Sequence, residues 1–240
     1  AQALSEDARR INNRLLAVEA RHEVEKQRME VLHQRQIAAA EAARAEALAK
    51  TNSELRAAQA ELERLANTDA LTGIDNRRHF LANARAECER ALRYGRPLAL
   101  VMGDIDRFKA INDAWGHPCG DLVIAAAAQV LDSQRRSVDS VGRLGGEEFG
   151  LLLPEADRAT ALAVAERVRR AVEEATIEWE GRPIPFTMSF GLAIAEPAGD
   201  EPAGGAAAAL ESLISRADQA LYAAKAAGRN CVRDEKGASR

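Results

Sequence analysis

Residues 1–66 contain neither proline nor glycine, the two residues that most often end a helix. The chain is also poor in aromatic residues, which make up 4% of its 240 residues although 47% are hydrophobic. Alanine therefore supplies much of the apolar content, and a helix-rich protein is expected. The three cysteines, Cys88, Cys119 and Cys231, show no paired spacing. They indicate neither a disulfide framework nor a zinc site, and they fit a reducing compartment.

The sequence also lacks a strong charge imbalance and a long apolar run. Its formal net charge of −4 offers no basic field for nucleic acid or an anionic membrane, so no nucleic-acid partner is expected. No apolar segment approaches the ~20 residues of a membrane span, and the first residues lack a signal-peptide pattern. We expect a cytoplasmic location. Because the chain begins at Ala1 without a methionine, it is also compatible with the cytoplasmic part of a larger protein that has an upstream sensor domain.

The composition of residues 1–66, dominated by Ala, Glu, Arg, Gln and Leu, predicts one long helix. Its apolar residues recur with the seven-residue spacing of a coiled coil. One series is Leu4, Ile11, Val18, Glu25, Leu32 and Ala39, and the second is Ala8, Leu15, His22, Met29, Gln36 and Ala43. Glu25, His22 and Gln36 are polar core positions, so the seam is imperfect. We expect residues 1–66 to form a parallel coiled-coil homodimer, here called the stalk; the alternative is a single solvated helix rich in alanine.

The heptad pattern changes phase within the stalk. After the first two series the pattern resumes with Leu48, Leu55 and Leu62, accompanied by Ala58 and Leu65. One uninterrupted supercoil cannot satisfy both phases. The sequence therefore predicts a slip near residues 43–51.

Residues 67–240 show alternating helix and strand patterns, which indicate one α/β (α+β) domain. Helices are expected at residues 76–94, 118–134, 156–175 and 209–227, and strands at 98–102, 137–144, 149–153 and 186–195. The Pro-, Gly- and Ala-rich residues 197–208 are left as an unassigned loop. The polar residues most suggestive of chemistry lie where the strands end or turn.

A glycine turn followed by two carboxylates lies between two strand-like segments. Gly145 and Gly146 predict a tight hairpin that leaves room for a bulky ligand, and Glu147 and Glu148 project from it. Such a turn can hold a metal and phosphates. Taken alone, it is more often a solvated hairpin.

A second carboxylate pair follows the apolar strand at residues 98–102. Alternation along the strand places Asp104 and Asp106 on one face. Hard oxygen ligands at a strand end suit a Mg²⁺-nucleotide site, and carboxylates ending a core strand are costly to bury without a partner. This segment therefore strengthens the functional interpretation of the glycine turn.

These segments are part of a series of motifs that resembles, in the same order, the GGDEF family of diguanylate cyclases. The motifs are Asp69-Ala-Leu-Thr-Gly73-Ile-Asp-Asn-Arg77-Arg78, Asp104-Ile-Asp-Arg-Phe-Lys-Ala-Ile-Asn-Asp113, Gly116-His117, Gly120-Asp121, Gly145-Gly-Glu-Glu-Phe149 and Ala217-Asp-Gln-Ala-Leu-Tyr222-Ala-Ala-Lys225-Ala-Ala-Gly-Arg229-Asn230. The resemblance covers residues 67–233. It implies a sheet flanked by helices, similar to the palm domain of nucleotidyl cyclases and polymerases. Two positions depart from the family: Glu147 stands where Asp is commonest, and Gly103 stands where a larger apolar residue is common.

The resemblance implies a metal site and a guanine site. Mg²⁺, or Mn²⁺ in its place, would be bound by Asp104, the main-chain carbonyl of Ile105 and Glu147. Asn112 and Asp121 would read the guanine edge, since an aspartate accepts hydrogen bonds from guanine N1–H and N2–H₂ together, which adenine does not offer.

Further residues would contact the rest of the nucleotide by the same resemblance. Phe108 supplies an aromatic edge, and His117 lies close to the nucleotide or, alternatively, braces the loop at residues 116–120. The triphosphate would be neutralised by Lys109, Lys225 and Arg229, although Lys225 and Arg229 as a bare pair would be an ordinary solvated helix face.

The implied reaction joins two GTP molecules into cyclic di-GMP and releases two pyrophosphates. Of Glu147 and Glu148, one would bind metal and the other would accept or relay the proton of the 3′-hydroxyl, and the sequence leaves open which does which. Because one domain holds one GTP, two domains must face each other. The stalk would raise their local concentration and set their orientation.

The segment from Arg136 to Asp139 has the spacing of the family's RxxD product-inhibition site, where cyclic di-GMP would bind. Arg167 stands where the family often supplies a further arginine from the opposing protomer. An RxxD sequence alone is usually a surface ion pair, so this assignment depends on its position before the glycine turn.

Two other functions stay open at this point. One is a catalytically silent GGDEF module that binds GTP or cyclic di-GMP and signals through its stalk. The other is a coiled-coil scaffold whose globular end is only a dimer partner, which would leave the carboxylate cluster unexplained. Silent modules usually lose metal or turn residues, and Asp104, Gly145, Gly146, Glu147 and Glu148 are all present.

Overall fold

The computed structural model describes residues 2–196 and 205–237, with side chains described from residue 14. The chain separates into two units, residues 1–62 and residues 63–240. Helix α1 runs over Gln2–Asn67, which confirms the prediction of one long N-terminal helix. None of the helices in the described ranges is both long and apolar enough to cross a lipid bilayer.

The first unit exposes its apolar residues. Large apolar side chains of α1 that stand in solvent are Leu15, Leu16, Val18, Val24, Met29, Val31, Leu32, Ile37, Leu48, Leu55 and Leu62. Exposed leucine and valine at heptad spacing are what a coiled-coil seam presents before it meets a partner helix. Parallel pairing of the stalk stays a prediction.

The second unit has five further helices and eight strands in its described part. The helices are α2 (Arg77–Tyr94), α3 (Phe108–Trp115), α4 (His117–Gln134), α5 (Arg158–Glu174) and α6 (Gly205–Ala226). The strands are β1 (Asp75–Asn76), β2 (Leu98–Ile105), β3 (Ser140–Gly145), β4 (Glu148–Pro154), β5 (Thr176–Trp179), β6 (Arg182–Pro185), β7 (Met188–Ala195) and β8 (Val232–Asp234). Six strands form one sheet in the order β1-β3-β4-β2-β7-β8, and β5 and β6 form a separate hairpin.

Strand β2 lies at the centre of the sheet, and every one of its residues is buried. It pairs antiparallel with β4 on one side and with β7 on the other. Its alternating side chains enter two cores: Val101 and Ile105 pack with residues of α4 and α5, whereas Leu100 and Met102 pack with residues of α2 and α6. The sheet is therefore covered on both faces, as the mixed α/β prediction required.

The helices and strands expected from the sequence are found, with shifted ends. The apolar run seemed to end at Met102, yet β2 continues to Ile105 because pairing with both neighbours persists. Helix α6 begins at Gly205, inside the segment expected as a loop, while residues 197–204 of that loop lie outside the described residues. Helix α3, the β5–β6 hairpin and the short strands β1 and β8 were not predicted.

The small residue at position 103 is matched by a large one on the adjacent strand. A Cβ atom built on Gly103 would lie 2.7 Å from Cε1 of Phe190, and Phe190 is fully buried on β7. The ring fills the space that a larger side chain at position 103 would occupy. This departure from the family pattern is therefore compensated within the core.

Candidate active site

The candidate site forms where the end of β2 meets the turn between β3 and β4. In the pairing of β2 with β4, Asp104 lies opposite Glu148, and the Ile105 amide donates to the Glu147 carbonyl at 3.3 Å. Gly146 adopts a φ of 46°, a left-handed conformation that suits glycine in a tight turn. The two carboxylate motifs, separated in sequence, are thereby brought together.

Two arginines and one aspartate hold the turn. The Arg143 guanidinium donates to the Gly146 carbonyl at 2.9 Å and to the Asp69 carboxylate at 3.1 Å. Arg77 donates to the Leu144 carbonyl at 2.9 Å. In the sequence, Asp69 and Arg77 belong to one of the family motifs, but neither residue was assigned a role. Only the long-range contacts reveal that they brace the glycine turn.

The charge balance at Asp69 fits this bracing role. Burial raises the pKa of the Asp69 carboxyl, but hydrogen bonds from Thr72 and Arg143 outweigh burial and leave it below its ordinary value. The Thr72 hydroxyl donates at 2.7 Å and its amide at 3.0 Å. A carboxylate held in its charged form is a strong acceptor for the Arg143 guanidinium.

Asp104 is the buried charge of the site, with 7% of its surface exposed. The Lys225 ammonium of α6 lies 2.8 Å from its Oδ2 atom. Burial raises the pKa of Asp104, the Lys225 contact opposes that rise, and the charges of Glu147 and Glu148 add to it. The strand end thus concentrates negative charge that Lys225 offsets in part, and a bound cation would offset it further.

This donor set fits a divalent metal that shares its coordination with a nucleotide. Within residues 14–196 and 205–237, no three His, Cys, Asp or Glu side chains are grouped closely enough to hold a metal by themselves. Mg²⁺ in nucleotide enzymes is commonly bound by one or two carboxylates and by substrate phosphates, not by an all-protein cage. The carboxylates of Asp104 and Glu147, with the carbonyl of Ile105, are the hard oxygen atoms that would be offered to such a shared site.

The structure assigns Asp106 a different position from Asp104, although both were expected on one ligand face. Asp106 is buried, and its carboxylate accepts hydrogen bonds from Thr187 Oγ1 at 2.7 Å, Ser189 Oγ at 2.6 Å and the Asn230 amide at 3.0 Å. Three donors satisfy this carboxylate without a metal. Asp106 is thus held as a structural carboxylate, and Asp104 is the carboxylate of this strand end left facing the glycine turn.

Helices α3 and α4 place the predicted guanine-reading residues at their junction. Gly120 is buried against Asn112: an added Cβ would lie 2.0 Å from Asn112 Oδ1 and 3.1 Å from Phe108 Cζ. Only glycine allows this approach. Asn112 Oδ1 is buried without a hydrogen-bond partner among the described residues, so the junction contains an acceptor that the described part of the protein leaves unmatched. Asp121, the next residue, is exposed.

The remaining predicted contacts lie around this junction and at the end of α6. Lys109 is exposed on α3, and His117 is exposed at the start of α4. Arg229 follows α6, is exposed, and has a φ of 68°. Lys225 contacts Asp104, so of the three predicted phosphate-binding cations it is the one placed directly at the carboxylate cluster.

The predicted inhibitory residues lie at the carboxyl end of α4 and on α5. Asp139 is buried; its Oδ2 accepts from the Arg136 amide at 2.8 Å, while its Oδ1 has no partner in the described part of the chain. The Arg136 side chain is exposed and lines a cavity of about 670 Å³ with Tyr94 and Val138. Arg167 donates to the Gln134 carbonyl at 2.9 Å. The Asp139 amide in turn donates to the Arg136 carbonyl at 3.1 Å, so Arg136 and Asp139 are joined by a main-chain turn and not by an ion pair of their side chains.

Together, the fold and the site define an α/β domain with an acidic cluster at the end of its central strand. Comparison with known proteins gives the class a name. Residues 66–231 match the family described as "Diguanylate cyclase, GGDEF domain". The chain therefore belongs to the GGDEF family.

Individual relatives extend this assignment. The chain is 39% identical over 170 residues to the response regulator PleD of Caulobacter vibrioides, covering 70% of this chain and 36% of PleD. It is 41% identical over 180 residues to the diguanylate cyclase DgcM of Escherichia coli, covering 75% of this chain and 41% of DgcM. It spans well under half the length of both curated relatives.

A solved structure with a stalk is also similar. It contains the coiled coil and GGDEF domain of DgcB from Caulobacter crescentus in complex with c-di-GMP. The TM-score is 0.68 at 31% identity, over 78% of this chain and 96% of that chain. The likeness confirms the fold class predicted from the sequence.

Proposed function

We propose that the protein is a diguanylate cyclase that condenses two GTP molecules into cyclic di-GMP and two pyrophosphates. The observation that carries this proposal is the meeting of Asp104 and Ile105 with the glycine turn at residues 145–148. Family membership and the curated relatives support it further.

Asp104, the Ile105 carbonyl and Glu147 would hold Mg²⁺ or Mn²⁺ in this function. The bound metal would polarise the phosphate and lower the barrier to attack by a 3′-hydroxyl. Lys225, at 2.8 Å from Asp104, is close enough to exchange its carboxylate partner for the phosphates of GTP, with Lys109 and Arg229 adding positive charge. Glu148, opposite Asp104, is available to accept the proton of the hydroxyl.

Guanine would be read at the junction of α3 and α4. The unpartnered Asn112 Oδ1 and the Asp121 carboxylate are acceptors, and the Watson–Crick edge of guanine carries donors at N1 and N2. Phe108, packed beside Gly120, and His117 would border the same nucleotide. Acceptors unmatched within the protein favour a ligand that brings donors.

Two GTP-loaded domains must face each other, which gives the stalk a role. Its exposed heptad leucines support a parallel homodimer. The DgcB structure is a solved example of a coiled coil joined to a GGDEF domain. An upstream sensor domain in a longer protein would act through this stalk. The product, cyclic di-GMP, would bind at an inhibitory site formed by Arg136, Asp139 and Arg167 and inhibit the enzyme.

The test of the proposed function is to incubate the purified protein with GTP and Mg²⁺, and separately with Mn²⁺, and to identify the product by mass. We expect cyclic di-GMP and two equivalents of pyrophosphate. A protein that binds GTP or cyclic di-GMP without turnover would instead be the silent signalling module. If the protein binds neither GTP nor cyclic di-GMP, the coiled-coil scaffold is the interpretation that remains.

We expect Arg136→Ala to weaken product inhibition by about tenfold or more, with an unchanged initial rate, because a guanidinium hydrogen bond to a phosphate or guanine is a strong one. The side chain is exposed and lines a cavity with Leu98, the first residue of β2, whereas Asp104 lies near the other end of that strand. Inhibition would be measured from initial rates at increasing cyclic di-GMP. Arg135→Ala is the matched control, since Arg135 is adjacent and exposed and pairs with Asp132. Equal inhibition of the Arg136 variant and the parent would remove this residue from the inhibitory site.

Insertions near residues 43–51 should change activity with a seven-residue period. We propose that the stalk has two registers of similar free energy and that only one brings the two GTP sites face to face. Inserting seven residues keeps the heptad phase and should preserve activity, whereas inserting two or three should lower it. Activity would be measured alongside the oligomeric state. If every dimeric variant is equally active whatever the insertion length, the stalk is only a tether.

A further inference from the structure

We propose that Asn230 and Arg169 are positioning residues that hold the backbone of Arg229 in place for binding the triphosphate of GTP. This inference rests on the proposed function. It concerns a network of polar contacts, buried at Asp106 and more exposed toward Glu173, that joins the end of β2, the segment after α6, and helix α5.

The network begins at the buried carboxylate of Asp106. This group follows β2 directly, two residues after Asp104, and it accepts from the Asn230 amide at 3.0 Å as well as from Thr187 and Ser189. A buried charged acceptor with three donors is a strong anchor. This hydrogen bond from the main-chain N–H of Asn230 fixes the backbone of Asn230 at the end of the strand that carries Asp104.

The side chain of Asn230 continues the network to α5. Its Oδ1 accepts from Arg169 Nη1 at 2.8 Å, and its Nδ2 donates to Glu173 Oε1 at 2.7 Å. Both polar atoms of the Asn230 side chain therefore form hydrogen bonds with residues of helix α5. Asn230 is clamped at its backbone by one carboxylate and at its side chain by an arginine and a glutamate.

Arg169 is held firmly enough to serve as this clamp. Its side chain is 12% exposed, and it makes a bidentate pair with Glu166 through two contacts of 2.9 Å. Its Nη1 atom also donates to Glu173 at 2.8 Å. Because the guanidinium is planar and its other nitrogens are engaged, its position relative to Asn230 is fixed.

The clamp acts on an unusual backbone. Arg229 and Asn230 have φ values of 68° and 45°, so two consecutive residues other than glycine are left-handed. Asparagine tolerates this conformation well, but arginine adopts it rarely. Such a conformation persists where the surroundings determine it. The contacts of Asn230 on both sides supply that constraint, and they fix the direction in which the chain leaves Lys225 and presents Arg229.

A fixed backbone at Arg229 has a specific kinetic consequence. A long cationic side chain anchored on a rigid backbone loses less conformational freedom when it meets a phosphate. Loosening that backbone weakens binding in the ground state and the transition state alike. The KM for GTP should rise while kcat stays close to the parent value.

The test compares two neighbouring arginines that share a partner. Arg169→Ala removes the contact to Asn230, whereas Arg170→Ala removes an exposed arginine that pairs with the same Glu166 at 3.0 Å. We expect Arg169→Ala to raise the KM for GTP about tenfold with kcat within about twofold, and Arg170→Ala to leave both unchanged. Asn230→Gly, which tolerates the left-handed backbone but removes the side chain, should reproduce the rise in KM if Arg169→Ala does not fold.

A fourth variant separates positioning from stability. Glu166→Gln weakens the bidentate pair but leaves the Arg169 contact to Asn230, so it should lower the melting temperature with less effect on KM. Binding of a fluorescent GTP analogue gives the same comparison if binding occurs without turnover.

The inference is overturned if the parent protein converts or binds GTP and the Arg169, Arg170 and Asn230 variants all have the same KM or Kd for GTP as the parent. If the parent binds GTP without making cyclic di-GMP, and only the Arg169 and Asn230 variants have a lower affinity for GTP, the cyclase proposal is wrong and the positioning inference stands. A parent that neither binds nor converts GTP overturns both.

Discussion

Glu148→Gln is expected to abolish cyclic di-GMP synthesis, with a loss of about 10²- to 10⁴-fold or more in kcat, the range typical of a lost proton-transfer group. The substitution preserves size and removes one charge at a half-buried position of β4. The main-chain pairing of Glu148 with Asp104 is unaffected, so the protein should stay folded. The measurement is the initial rate of product formation, with circular dichroism as the check on folding.

The electrostatics of Asp104 make this result interpretable. The negative charge of Glu148 raises the pKa of Asp104, so removing that charge lowers the pKa and leaves Asp104 more fully ionised. Lost turnover therefore cannot come from protonation of Asp104. Once circular dichroism shows a folded protein, the lost turnover is assigned to the missing charge or proton acceptor at position 148.

Two comparison variants sharpen the assignment. Glu147→Gln removes the expected metal ligand, so higher Mg²⁺ or Mn²⁺ should restore part of its activity, whereas Glu148→Gln should not respond. Glu178→Gln changes an exposed glutamate on the separate β5–β6 hairpin and should be neutral. Near-normal turnover of Glu148→Gln would end the role assigned to this residue, and rescue of Glu148→Gln by metal would exchange the roles of the two glutamates.

The long elements of this fold could be predicted because their patterns are local. Helix α2 has both end signals in the sequence: Asn76 accepts from the His79 amide, and Gly95 closes the helix in a left-handed conformation. The absence of proline and glycine sufficed for α1. The Asp104 and Gly145–Glu148 segments could be joined into one site through their resemblance to the GGDEF motifs, because local patterns do not say which strands are neighbours.

What escaped prediction depends on contacts between distant segments. Strand β8 has three residues and is defined by its parallel pairing with β7. The β5–β6 hairpin is defined by the pairing of its own two strands, and its Arg182 lies over the ring of Trp115, 5.9 Å from the ring centroid. Alternation put Asp104 and Asp106 together, but the partners of Asp106 come from residues 187, 189 and 230. No periodicity within a short window carries that information.

The choice of guanine over other bases should depend on Asp121. This residue follows Gly120, whose lack of a side chain lets Asn112 Oδ1 approach, so the two acceptors lie beside the same glycine. A carboxylate offers two acceptor oxygens to the N1–H and N2–H₂ donors of guanine. Loss of one charged hydrogen bond, together with an unmatched donor, should cost about 2–3 kcal/mol, or roughly 100-fold in kcat/KM for GTP.

Asp121→Asn turns this argument into a change of specificity. The asparagine amide presents one acceptor and one donor, which match the N1–H donor and the O2 acceptor of xanthine. We therefore expect kcat/KM for GTP to fall about 100-fold and that for xanthosine triphosphate to rise above the parent value. Asp132→Asn, at the opposite end of α4 and paired with Arg135, is the control and should change neither. A variant that keeps its GTP preference would place guanine recognition elsewhere. A variant that loses GTP without gaining xanthosine triphosphate would mean that position 121 acts through charge, because hydrogen-bond matching alone predicts both changes.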